Sequence, residues 1–135
     1  MNQDKKRLIS LVIILLVIVL VGSTVFFSKL KVTDEGIKNS GMYGVDLKYS
    51  DIEEVKLQEE LPKNLIRSNG INLGSIYIGK FKSMDSEKLK LFVYSSKGPF
   101  IYIKPKSKDY NYIIINFKQK QETENVFKQI SDKIK

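Results

Sequence analysis

Twenty consecutive uncharged residues near the N-terminus, Leu8 to Phe27, constrain this 135-residue chain more than any other feature. The run LISLVIILLVIVLVGSTVFF is almost all Leu, Ile and Val. As a helix rising ~1.5 Å per residue it extends roughly 30 Å, the thickness of a bilayer's hydrocarbon core. The expectation is a basic tail at 1–7 and a transmembrane helix at 8–28, in a single-pass cell-membrane protein whose partner along Leu8 to Phe27 is the lipid bilayer. A cleaved signal peptide is the competing reading, since Lys5, Lys6 and Arg7 suit its positive start. Secretory apolar regions, however, usually stop after about 7–15 residues. Val21-Gly22-Ser23 is also a poor cleavage site, so an uncleaved signal anchor is expected. Lys29, Lys31 and Lys38 follow the run, nearly balancing the cluster before it. The tighter Lys5-Lys6-Arg7 cluster places the N-terminus inside and the domain outside.

Residues 29–135 suffice for one domain with a real core, not two. Removing Lys5, Lys6, Arg7 and Asp4 from the totals leaves 20 basic against 14 acidic residues, so the domain itself is basic. Such a field favours lipid headgroups, polyanions or acidic protein patches. The competing reading is that Lys is simply this chain's solubilising residue. His and Cys are absent, which removes thiol nucleophiles, histidine bases and the usual zinc sets. Glu53-Glu54 and Glu59-Glu60 are adjacent pairs whose side chains alternate faces in a strand, as solvated carboxylates do. No glycine-rich phosphate loop is present. No enzyme, cofactor or metal is therefore expected.

The domain reads as strands followed by one helix. Lys29 to Thr33 alternates, Asp34-Glu35-Gly36 turns, and Ile37 to Ser40 resumes, a hairpin signal. Val55 and Leu57 share one side of a further strand, and Pro62 ends it. Ser75 to Lys82, Lys88 to Tyr94, Phe100 to Lys104 and Tyr110 to Phe117 are rich in β-branched and aromatic residues and carry short links. That pattern predicts an antiparallel meander. Val126, Phe127, Ile130 and Ile134 then step by one, three and four, the stripe of a helix at about 120–134. That helix is expected to cover the open end of a curled sheet.

Tyr43-Gly44-Val45-Asp46-Leu47, leading into Tyr49 to Val55, resembles the opening of bacterial pleckstrin-homology (PH) domain proteins. Arg67 to Gly74, followed by Tyr77, Gly79 and Phe81, looks like that family's central glycine-rich segment, and Leu91 to Tyr94 and Pro99 to Ile103 are similar to its later strands. The resemblance runs over about residues 30–135. It implies a mainly β fold, a PH-like antiparallel barrel or roll capped by the C-terminal helix, with residues 29–135 as the PH-like domain. It also implies a non-catalytic module, often beside membrane segments. Eukaryotic relatives can bind inositol phosphates through basic residues of the first hairpin. Here Lys31 and Lys38 lie there, but Asp34 and Glu35 intervene and Arg is missing.

Gly70, Gly74 and Gly79 read as backbone-shaping positions where a small sheet must bend, with ligand contact as the alternative. Asn69-Gly70 is the favoured pair for a tight hairpin turn. The leading function is a membrane-anchored interaction or scaffolding module with a protein partner. The alternative is a sensor or binder of anionic lipid headgroups or cell-surface polyanions. Its candidate residues are Lys97, Lys104, Lys106 and Lys108, grouped around two connections of one barrel rim with Tyr102 and Tyr110 nearby. A merely solvated loop competes with that reading. Nucleic acid is not an expected partner, although basic and aromatic residues interleave.

Overall fold

The computed structural model describes residues 2–26, 30–39 and 43–134, the side chains of residues 22–26 excepted. Helix α1 spans Gln3–Phe26. Asn2 caps it, its side-chain oxygen accepting from the Lys5 amide at 3.0 Å, and Asp4 faces the positive end of the helix dipole. Among the described residues no helix is long and apolar enough to cross a membrane. This corrects the expected span at 8–28 and the single-pass cell-membrane placement with the domain outside. The first turns of α1 carry the charged residues Asp4, Lys5, Lys6 and Arg7. Phe27, Ser28 and Lys29, which entered the expected span and its flank, lie outside the described residues, as do Ser40 of the first hairpin and Lys135.

Among the described residues nine strands follow: β1 (Leu30–Val32), β2 (Gly36–Asn39), β3 (Val45–Lys48), β4 (Ile52–Gln58), β5 (Ile66–Leu73), β6 (Ile76–Lys82), β7 (Lys88–Val93), β8 (Phe100–Pro105) and β9 (Tyr112–Ile115). Helix α2 (Lys120–Ile134) follows β9. β1, β2 and β3 form an antiparallel three-stranded sheet, with Val32 opposite Ile37 across the expected first hairpin. Thr33 builds that turn, its Oγ1 accepting from the Glu35 and Gly36 amides at 3.2 and 3.3 Å.

The second sheet has six strands in the order β4-β8-β9-β7-β6-β5. The expected barrel is thereby corrected: among the described residues there are two sheets, and in the larger one β4 and β5 are open edges, so no barrel closes there. The antiparallel meander is corrected too, because β9 inserts between β7 and β8 and runs parallel to β7. The link from β7 to β8 is thus an arch over an intervening strand. Buried Asn116, just past β9, ties that arch down. Its side-chain oxygen accepts from the Tyr94 amide at 2.8 Å and its amide donates to the Ser95 carbonyl at 2.8 Å.

Insertion between neighbours leaves the central strands buried on both faces. One core joins Ile78, Phe92, Ile101, Ile103, Ile113 and Ile115 to Leu30, Ile37 and Leu47 of the small sheet and to Ile130 of α2. The opposite face holds Phe81, Leu89, Leu91, Val93, Phe100, Tyr102 and Ile114, with Leu61 and Leu65 packed over it. Val126, Phe127, Ile130 and Ile134 form the apolar stripe of α2, which packs on β4, the 3-10 turn at Tyr49–Asp51 and β8. The helix therefore covers a sheet face and not the end of a barrel.

The three glycines do two different jobs. Asn69 and Gly70 lie inside β5, and the tight turn falls instead at Gly74-Ser75, between Leu73 and its partner Ile76. Gly74 has φ +58°, the backbone that the first position of such a turn requires. Gly70 and Gly79 face each other across β5 and β6; Gly79 has φ +117°, and a Cβ on it would lie 2.7 Å from the Gly70 Cα.

Candidate functional site

β6 and β7 place lysines at alternate positions, Lys80 and Lys82 on one strand and Lys88 and Lys90 on the other. Side chains two apart share a face. The register sets Lys80 opposite Lys90 and Lys82 opposite Lys88, on the face that carries Ile78 opposite Phe92. The apolar half of that face lies in the core; the other half is a two-by-two lysine lattice. The turn between the strands fixes this register: the Ser83 amide donates to the Glu87 carbonyl at 3.1 Å and the Ser83 hydroxyl accepts from the Glu87 amide at 3.2 Å.

Lys80, Lys82 and Lys88 line a cavity of about 560 Å³ with Ser68, Lys108 and Tyr110; Asp109 contributes a carboxylate and Phe81 and Leu89 also border it. Ser68 reaches it from a bulge in β5, where the register slips between Arg67 and Asn69. A bulge re-aims a side chain in this way. Lys90 sits deeper. Its Nζ donates to the Gly44 carbonyl at 2.8 Å and lies 5.6 Å from the centre of the Tyr110 ring. Burial, and then the charge of Lys80, lower its pKa below the ordinary lysine value. Lys80, Lys82, Lys88 and Lys108 have no carboxylate within ion-pair distance among the described residues.

An adjoining cavity of about 490 Å³ shares Lys108 and Tyr110 with the first and adds Lys104, Lys106, Glu53 and Glu87. Three of the four lysines named from the sequence, Lys104, Lys106 and Lys108, thus come together here. Lys104 is paired with Glu53, 3.8 Å away. Lys97 lies apart, in the arch before β8, whereas the other three cluster at the far end of that strand. Tyr110 borders both cavities, but Tyr102 does not: it is buried on the opposite face, its hydroxyl donating to the Glu60 carbonyl at 2.6 Å. A third cavity of about 370 Å³ beside β3 carries Asp46, Asp51 and Asp109, the wrong sign for an anion.

The β6–β7 lysines were not among the candidates read from the sequence, though a signal existed. Lys-Phe-Lys and Lys-Leu-Lys are placed symmetrically about the short polar segment 83–87, so hairpin pairing alone brings all four together. Among the described residues no grouping of three or more His, Cys, Asp or Glu is placed to hold a metal ion.

Against known proteins, no curated protein and no solved structure matches the chain. A family model described as bacterial PH domain matches residues 29–120, well over half of its length. The strands that build both cavities all fall within that match, and the chain belongs to the bacterial PH-domain family.

Proposed function

We propose that this domain is a non-catalytic interaction module that binds an anionic partner at its basic end. Family membership supports an interaction module, since PH domains are generally non-catalytic. The observation that carries the anionic preference is convergence. Lysines from β6, β7, β8 and the 106–111 loop border two adjoining cavities, and only Lys104 among those lining them is ion-paired within the described residues. Clefts lined by one sign of charge concentrate counter-ions and steer charged partners. Glu53, Glu87 and Asp109 at the rims offset part of the field and leave a lysine excess.

Binding of the full chain to heparin, as a generic polyanion, across a salt series tests the reading. Affinity is expected to fall steeply with salt and to drop at least about tenfold when Lys104, Lys106 and Lys108 are all changed to Glu. No binding by the parent chain, or binding indifferent to both salt and the triple change, overturns it.

A further inference from the structure

The lysine lattice on β6 and β7 points to a narrower ligand, and this inference rests on the anion-binding reading above. Cross-strand neighbours stand about 4.5–5.5 Å apart at Cβ, and like charges directly opposite each other are destabilising. β6 and β7 contain two such pairs in succession, Lys80 with Lys90 and Lys82 with Lys88. Along each strand the spacing of same-face residues is about 6.6–6.8 Å. With the Lys90 ammonium held by the Gly44 carbonyl, the lattice offers the Lys82–Lys88 pair followed by Lys80 along one direction, and a linear chain of anions laid along it meets them in turn.

The chemistry of the lining suits a phosphate group. No Arg is among the lining residues, so the planar two-bond fork that carboxylates and phosphates both accept is missing and recognition falls to point charges. Arg67 pairs with Phe81, on the other face of the sheet from the lattice. Lys supplies compact charges that accept any orientation of a phosphate group, and the bulged Ser68 adds a hydroxyl donor beside them. Tyr110, an aromatic ring bordering the cavity, already carries the Lys90 ammonium 5.6 Å from its centre, which makes it a poorer platform for stacking a nucleobase.

We propose that Lys80, Lys82 and Lys88, with Ser68 and Lys108, form a binding site for a linear phosphate polymer read through its repeating charge. Lys90, held by the Gly44 carbonyl, does not line that cavity and is not one of the contacts. The chemistry is common to inorganic polyphosphate and to polyol-phosphate chains.

Titration calorimetry of the full chain with orthophosphate, long-chain polyphosphate, a polyglycerol-phosphate chain, polyglutamate and oligothymidylate tests this. Long polyphosphate is expected to bind and orthophosphate not to; the polyglycerol-phosphate arm shows whether the phosphate repeat suffices or its packing also counts. Changing Lys80 and Lys82 together to Gln is expected to weaken polyphosphate binding at least about tenfold. Each removed lysine should also make the slope of log affinity on log salt less negative by about 0.7–0.9. In ligand-free protein at low salt the same double change is expected to raise the melting temperature, because it removes one member of each like-charge pair. A loss of binding with a lowered melting temperature would mark a structural role and overturn the proposal. Polyglutamate or oligothymidylate binding as tightly as polyphosphate overturns the ligand class. Wild-type affinity in the Lys80/Lys82 variant, with loss in the Lys104/Lys106/Lys108 variant, overturns the lattice and leaves the broader reading standing. Failure of every polyanion to bind the parent chain defeats both.

Discussion

At the residue scale, the polar side chains that matter most are those the cores enclose. Tyr102 lies in the second core and donates to Glu60. Burial first, then the charges of Glu87 and Glu60 and the neighbouring Tyr112, push its phenol up to about 12. The folded state thus holds this proton more tightly than the unfolded chain, whose tyrosines ionise near pH 10. Its contribution to stability is intact below about pH 10 and is lost as pH rises toward about 12. An ultraviolet titration is expected to show Tyr102 ionising about two pH units late among the seven tyrosines, a step that Tyr102→Phe removes. If the variant leaves that late step in place, the assignment to Tyr102 is wrong. Asn116 is another such residue. A buried Asn after an Ile-rich strand gives no hint in sequence of which backbone it will serve, because its partners, Tyr94, Ser95 and Lys97, lie 19 or more residues away.

At the element scale, periodicity was informative about faces and silent about neighbours. Leu89, Leu91 and Val93 do share one face, and Val126, Phe127, Ile130 and Ile134 do form one helical stripe. That β9 would pass between β7 and β8 was not legible, because the six-residue link 94–99 has the composition of a hairpin turn. The β5–β6 hairpin shows the same limit. Asn69-Gly70 has the residues of a turn, yet the chain turns at Gly74, and Gly70 serves the close approach to Gly79. Gly79→Ala is expected to destabilise the domain by about 1–3 kcal/mol in urea denaturation, since it strains a positive φ and meets backbone atoms of β5. Gly74→Asn, at a left-handed φ with open space around it, is expected to cost under about 1 kcal/mol. Equal losses would show that the Gly70–Gly79 contact is not the constraint.

At the scale of the whole molecule, one six-stranded sheet separates two cores, and every central strand contributes to both. The cores should therefore melt together. Ile130→Ala on one face is expected to cost about 2–5 kcal/mol and Phe81→Ala on the other about 3–5 kcal/mol. Both are expected to shift a single transition that coincides by circular dichroism and tyrosine fluorescence. Two separated transitions in either variant would mean that the sheet does not couple its faces. The same sheet accounts for the site: its apolar half is committed to packing, and its lysine half emerges where the small sheet stops covering it. By itself the sequence determined the β-rich domain with its closing helix, the family, the excess of positive charge and the lack of histidine and thiol chemistry, because composition and face periodicity are local properties. Only the tertiary structure decided the strand order, the open edges and which lysines stand together. Those depend on pairing between residues distant in the chain, and charge repulsion across a strand pair exists only once the strands are paired.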